Sequence, residues 1–232
     1  MKTIGIIGGM SWESTASYYK LINQAVKAEK GGLHSAKIIL YSVDFAEIEC
    51  LQKSEEWDKA AVLLSQAAQS LEKAGVDFII VATNTMHRVF DEIQEGVSTP
   101  LLHIADATGQ NLRDQDITRV GLLGTAFTME QDFYKQRLKN AFGIDVIVPN
   151  GVQRRLVHDV IYDELCIGKI SSRSKQDFKT IIEDLTAEGA QGVILGCTEI
   201  GLLLDSSDID IPVFDTTVIH AQATVREALQ QS

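Results

Sequence analysis

The chain is poor in the residues that stiffen or staple a fold. Only three of its 232 residues are proline and three are cysteine. Cys50, Cys166 and Cys197 form no CxxC pair and have no histidine at metal-ligand spacing. That excludes a disulfide framework, and an odd thiol count suits a reducing compartment, so a cytoplasmic location is expected. Positive charge is scarce as well: 21 Lys and Arg against 32 Asp and Glu leave a net charge of −11. Such a balance disfavours nucleic-acid backbones and anionic membranes as partners. It gives an anionic substrate no long-range help, so any carboxylate specificity has to come from local groups. No apolar stretch approaches membrane-spanning length. The opening MKTIGIIGGM has one lysine and an apolar run broken by glycines, and reads as a first strand rather than a signal peptide.

Several site signatures are missing too. There is no P-loop lysine. The glycines Gly5, Gly8 and Gly9 follow G-x-x-G-G, not the dinucleotide spacing G-x-G-x-x-G, and no acidic residue stands at the ribose distance. A tight strand-to-helix turn, or one whose N–H groups hold a carboxylate, fits that segment better. No Ser-His-Asp set or paired histidines stand out, so no metal is expected. His87 is expected at the surface or at a helix start, although it follows ATNTM and a place near the cleft stays open.

What the chain does have is a repeat. GVDFIIVATNTMH (Gly75 to His87) is echoed by GAQGVILGCTEIG (Gly189 to Gly201). Gly75 falls on Gly189, Ile80 on Ile194, Ala82 on Gly196, Thr85 on Glu199, and Thr83 on Cys197, 114 residues later. TIGIIGGM resembles RVGLLGTA, and TPLLHIADAT resembles IPVFDTTVIHA, in the same order. The unit is a whole small domain, which excludes solenoids and propellers. An apolar run that stops at a reactive side chain marks a buried strand ending at a cleft. Two such ends, one per half, suit chemistry that enters one face of a carbon and leaves by the other.

Hydrophobic residues at 45% with so little proline argue for a compact globule. Strands are expected over 2–7, 37–43, 78–82 and 101–104 in the first half, and over 119–123, 145–148, 193–195 and 213–215 in the second. Helices are expected over 14–30, 58–74, a stretch after Asn84 through Glu92, 128–141, 152–165, 174–188 and 217–230, with 106–116 as a polar connection. Alternating βα units with continuous apolar strands predict an α/β fold of two pseudo-symmetric, doubly wound parallel-sheet halves, with the active site in the cleft between them. The halves are placed at 1–115 and 116–216, and the C-terminal helix, about 217–232, is expected to pack back on the first.

Cys197 lies in LGCTEI at a strand end. Backbone N–H groups of the following turn would lower its thiol pKa, whereas Glu199 would raise it, so no net shift is expected. Cys50 and Cys166 lie outside the repeat and are read as structural.

GGMSWEST (Gly8 to Thr15), ATNTMH (Ala82 to His87) and LGCTEI (Leu195 to Ile200), taken together and in this order, carry a resemblance. The chain resembles the aspartate/glutamate racemase family over essentially its full length, and within it the aspartate racemase branch, which includes a bacterial acidic-amino-acid racemase specific for the L-enantiomers. The resemblance implies a cofactor-independent isomerase, usually a homodimer, acting on a small amino-acid substrate with one cysteine from each half as acid or base. This chain departs from that pattern, because Thr83 stands at the first-half position. The expected reaction is racemisation of L-Asp and L-Glu, with Cys197 removing the α-proton and the Thr83 side returning one through a relay, by water or Thr85. Asn84, Thr85, Thr125 and Thr198 are expected to hold the α-carboxylate, with Glu199 among the substrate contacts. By resemblance, Met10 lines the substrate, Lys169 meets the distal carboxylate, and Gln52 replaces an arginine that grips a carboxylate. Two alternatives stay open: a single-cysteine decarboxylase of malonate-type acids, and a non-catalytic amino-acid-binding protein. A nucleotide-binding domain is disfavoured by the glycine spacing.

Overall fold

The computed structural model describes residues 1–204 and 206–230. The chain divides into two compact units. One comprises Met1–Ile104 and the chain from His220 onward; the other is Ala105–Ile219.

In the first unit β1 (Ile4–Gly8) leads into α1 (Trp12–Lys30), followed by β2 (Ile38–Ser42), α2 (Phe45–Lys53), α3 (Trp57–Lys73) and β3 (Phe78–Val81). A 3-10 turn (Thr85–Val89), α4 (Phe90–Glu95) and β4 (Leu101–Leu102) complete the sheet. α5 (Ile104–Arg113) crosses into the second unit, which continues with β5 (Arg119–Leu123), α6 (Ala126–Glu130), α7 (Asp132–Phe142), β6 (Asp145–Ile147) and α8 (Gly151–Asp163). A 3-10 turn (Leu165–Ile167), α9 (Ser172–Ala187), β7 (Val193–Leu195), α10 (Ile200–Leu203), a 3-10 turn (Ser206–Asp208), β8 (Val213–Asp215) and α11 (Thr216–Leu229) follow. The strand orders are β2-β1-β3-β4 and β6-β5-β7-β8, and every pairing is parallel. The same doubly wound order therefore occurs twice, as the repeat predicts.

Each sheet is apolar on both faces because helices cover both. Ile4 and Ile6 of β1 and Phe78 and Ile80 of β3 point to one side. There they meet Tyr18, Ile22 and Val26 of α1 with Ala221, Val225 and Ala228 of α11. The spacing 18, 22, 26 places these α1 side chains on one helical stripe. Each of the large ones contributes about 1.5–3 kcal/mol by leaving water. α3 covers the other side with an alanine-rich face, Ala60, Ala61, Leu64, Ala67, Ala68 and Leu71. Small side chains there let the helix lie close to the sheet.

The two crossing helices are docked by specific partners. In the first unit the Lys2 amide donates to the Ala228 carbonyl at 2.9 Å, and Lys2 pairs with Glu227. In the second, Arg137 grips Asp106 through two bonds of 2.6 and 2.7 Å, Tyr134 donates to Thr108 at 3.2 Å, and Gly109 leaves room for the Phe142 ring. α5 occupies most of the stretch expected as a polar connection. Its buried stripe of Ile104, Ala105, Thr108 and Leu112 is small and partly polar, so the sequence signal is faint. α2 also escapes the sequence pattern because it buries only Ile48 and Gln52. The helix expected over 128–141 is interrupted at Gln131, whose extended backbone (ψ 154°) separates α6 from α7. The last two residues of the expected C-terminal helix, at 231 and 232, lie outside the described residues.

Candidate functional site

The repeat reappears as identical register. Ile7 pairs with Val81 in one sheet, and Leu123 with Leu195 in the other. One residue beyond each pair, the Ala82 amide donates to the Ile7 carbonyl at 2.9 Å and the Gly196 amide to the Leu123 carbonyl at 2.7 Å. Thr83 and Cys197 are the next residues. Both are half-buried at the carboxyl end of a central strand, where open parallel sheets carry their ligands.

The second-unit end carries the titratable group. Cys197 Sγ donates to Glu199 Oε2 at 3.0 Å. Glu199 is buried, at 8% exposure. The thiol pKa is raised well above its ordinary value, first by burial, then by the Glu199 charge and by the hydrogen bond that the Glu199 carboxylate accepts. The Glu199 backbone N–H acts in the opposite direction, as expected for a turn after a strand, but it is the smallest influence. Burial and the neighbouring carboxylate thus both favour the neutral thiol over the thiolate. Next to it, Thr198 Oγ1 accepts from Thr217 Oγ1 at 3.2 Å, and the Thr217 amide donates to Asp215 Oδ1 at 2.8 Å. Burial pushes the Asp215 carboxyl pKa up. Thr125 caps α6, its hydroxyl accepting from the Thr128 amide.

In the first unit the matched turn, residues 83–89, contains no acidic residue. Ser14 Oγ donates to the Ala82 carbonyl at 3.3 Å, and Asn84 and Thr85 are buried as the 3-10 turn begins. The glycine turn behind β1 is tight. Gly9 has φ +94°, and a side chain there would run into the Val43 carbonyl. Its amide donates to Thr15 Oγ1 at 2.8 Å and Ser11 caps α1, so two polar groups of this turn serve the fold. Met10, 5% exposed, lies between them.

The remaining expected residues are placed as follows. Gln52 is in the last turn of α2, 3% exposed, with its amide donating to Met86 Sδ at 3.0 Å. Lys169 is exposed and follows Gly168, which ends the 3-10 turn at Leu165–Ile167. Its backbone amide donates to the Glu164 carbonyl at 2.9 Å. Thr83, Asn84, Thr85, Met10 and Gln52 thus belong to the first unit. Cys197, Thr198, Glu199, Thr125 and Lys169 belong to the second.

Three buried histidines were not singled out from the sequence as a group. His87, His103 and His220 are each at most 3% exposed; the His87 ring lies 4.6 Å from that of His103 and 6.0 Å from that of His220. His87 is neither at the surface nor at a helix start: it is the middle residue of the 3-10 turn Thr85–Val89 and is buried there, because its ring is hydrogen-bonded inside the first unit. Tyr18 is hydrogen-bonded to His220 Nδ1 at 3.0 Å, and Nε2 of the same ring faces the Leu102 carbonyl at 3.1 Å. Because a carbonyl only accepts, Nε2 carries the proton and Nδ1 accepts from the tyrosine. Burial lowers the His220 pKa to about 4. Only their recurrence beside repeat segments hinted at this cluster.

A duplicated doubly wound fold with matched strand ends, one bearing a thiol, defines a class of two-unit α/β enzymes. The Asp/Glu/hydantoin racemase family model matches residues 7–224, and the chain belongs to that family, whose members are isomerases. A crystal structure from Yersinia pestis, described as that of a candidate Asp/Glu racemase, is 56% identical, covers 99% of this chain and 100% of its own, and superposes with a TM-score of 0.94. An aspartate racemase homologue from Pyrococcus horikoshii is 36% identical, with coverage of 99% and 100% and a TM-score of 0.86. The broad specificity amino-acid racemase RacX of Bacillus subtilis is 26% identical over 96% of each chain.

Proposed function

We propose that this protein racemises acidic amino acids without a cofactor, with Cys197 working on one face of the α-carbon and the Thr83 side on the other. The observation that carries the reading is the thiol of Cys197 hydrogen-bonded to Glu199, at the register position that Thr83 holds in the other sheet. The relatives named for aspartate and for amino acids at large support the substrate class.

The proton accounting is as follows. The Cys197 thiol gives its proton to the Glu199 carboxylate. The resulting thiolate takes the α-proton of the L-amino acid, leaving an enediolate-like carbanion. The elevated thiol pKa makes the thiolate scarce but strongly basic once formed. A proton then reaches the opposite face from the Thr83 hydroxyl, and solvent replaces it through a relay, because threonine is too weak an acid to remain an alkoxide. Glu199 returns its proton to solvent, which restores the starting thiol, carboxylate and hydroxyl. Asn84, Thr85, Thr125 and Thr198 supply donors for the carboxylate as it gains charge, and Lys169 meets the distal carboxylate. With its amide on Met86, Gln52 leaves the distal grip to Lys169.

The enantiomers have equal free energy in solution, so kcat/KM is equal in the two directions. A weak acid at Thr83 slows both equally, and any L-preference appears in kcat and KM separately or as exchange without inversion.

The test is incubation of single enantiomers of Asp and Glu in deuterated water. L-substrate is expected to exchange its α-proton and, more slowly, to invert; Cys197→Ala is expected to abolish both. Absence of both in the wild type, or their survival in Cys197→Ala, refutes the mechanism. A second reading, decarboxylation of a malonate-type acid, draws support from the single titratable group of the matched pair. Carbon dioxide release from substituted malonates would select it.

A further inference from the structure

We infer that His87 is a positioning residue that sets the orientation of Thr83, an assignment resting on the racemase reading above. The ring makes two hydrogen bonds whose polarity is fixed by its partners. The Ile104 amide can only donate, and it meets Nε2 at 3.2 Å. The Thr83 carbonyl can only accept, and it meets Nδ1 at 2.8 Å. His87 is therefore the neutral Nδ1–H tautomer, 2% exposed, stacked on Phe90 at 5.7 Å and 11°.

The bond reaches the peptide plane between Thr83 and Asn84. Holding that plane sets ψ of Thr83, and with it the direction of the hydroxyl relative to the Asn84 amide. On its other side the ring holds the first residue of α5, where the chain leaves the first unit. Among its described residues the second unit has no such brace at the matched carbonyl. The residue matched to His87 is Gly201, and the Cys197 carbonyl accepts instead from the Ile200 amide at 3.2 Å. The extra brace thus stands only at the end with the weaker acid. A thiol with a charged acceptor tolerates a loose approach better than a hydroxyl, which must be aimed to give up a proton.

A merely structural histidine and a positioning one differ in what they do to the two faces. L-Asp in deuterated water reports both. Wash-out with retention reads the Cys197 face alone, whereas inversion needs the Thr83 face. In His87→Phe, which keeps the aromatic stack but neither hydrogen bond, inversion is expected to fall about tenfold relative to wash-out. His87→Gln, which offers a donor and an acceptor, should recover part of the loss. A parallel fall of both rates, or no change in either, overturns the assignment. If the racemase reading itself is wrong, the wild type shows neither rate, and the crystal structure of His87→Phe decides. A rotated Thr83 peptide with Cys197 in place supports positioning; an unmoved Thr83 overturns it. Should the Phe variant fail to fold, the 15N spectrum of the wild-type imidazole decides, because an Nε2–H tautomer would contradict both bonds.

Discussion

Replacing Glu199 with glutamine should make Cys197 more reactive toward an alkylating agent and less effective toward substrate. The sulfur and the carboxylate oxygen are 3.0 Å apart. Two unit charges at that distance and an effective dielectric constant of about 20 repel by about 5 kcal/mol, which is a ceiling. Solvent at the half-buried thiol reduces the effect but not its direction: without the carboxylate the thiol pKa is expected to fall. The glutamine amide adds a donor to the thiolate, in the same direction. A lower thiol pKa raises the thiolate fraction at neutral pH, and iodoacetamide labelling of Cys197 should accelerate by about tenfold. Racemisation should move the other way, falling by about 10²-fold in kcat/KM, because a neutral amide cannot accept the thiol proton. The measurement belongs in a Cys50→Ser background, since Cys50 is exposed and would compete for reagent, with Cys166 followed by mass spectrometry. Slower or unchanged labelling in Glu199→Gln would show that the carboxylate does not hold the thiol protonated. Unchanged racemisation would show that it does not take the proton either.

Stability should fall as the pH drops from 6.5 toward 4. His220 titrates near 4 when folded and near 6.5 when unfolded, so the unfolded chain binds the extra proton first, and about 3 kcal/mol is lost across that window. Urea unfolding of His220→Phe at several pH values should lose that slope, whatever its own stability at neutral pH; an unaltered slope would assign the acid sensitivity elsewhere. Gly9→Ala should destabilise by about 3 kcal/mol or more, because the new methyl meets a carbonyl at positive φ, whereas Gly75→Ala, at φ +79° with open space around it, should cost only about 1 kcal/mol. Arg137→Met should cost about 1–2 kcal/mol and raise hydrogen exchange along α5, reporting the docking by Asp106. Thr83→Cys should speed inversion of both enantiomers by equal factors in kcat/KM, measured by polarimetry, and unequal factors would violate the equilibrium constraint.

The fold was legible because long apolar strands and matched glycine turns survive duplication. β5, β7 and β8 have the bounds that their residue patterns predict, since Val, Ile and Leu runs flanked by Gly or Pro leave little choice of register. The misses at α2 and α5 share one cause. α2 and α5 bury few large apolar side chains, so their amphipathic period is weak, and α5 declares itself only through Arg137, Tyr134 and Phe142, partners some thirty residues away. The same limit applies at the candidate site. Cys197 and Thr83 stand out because the repeat aligns them. That Glu199 bonds the sulfur depends on how a short turn folds, and the i+2 spacing alone leaves that open.

The asymmetry between the two strand ends goes beyond one substitution. At the Cys197 end the thiol's hydrogen-bond acceptor is a side chain two residues on, and the carbonyl is tied by local backbone. At the Thr83 end no acid is within the local turn, and the carbonyl is tied by a histidine that also holds the start of α5. A duplicated fold begins with equivalent ends, and one half can then lose its strong acid only if what remains is held in place. Read in this way, Thr83 and His87 are a coupled pair. Thr83→Cys should relieve the need for the brace, so the loss of inversion caused by His87→Phe should be smaller in the Thr83→Cys background than in the wild type. Equal losses in the two backgrounds would mean that the histidine serves the fold and not the hydroxyl.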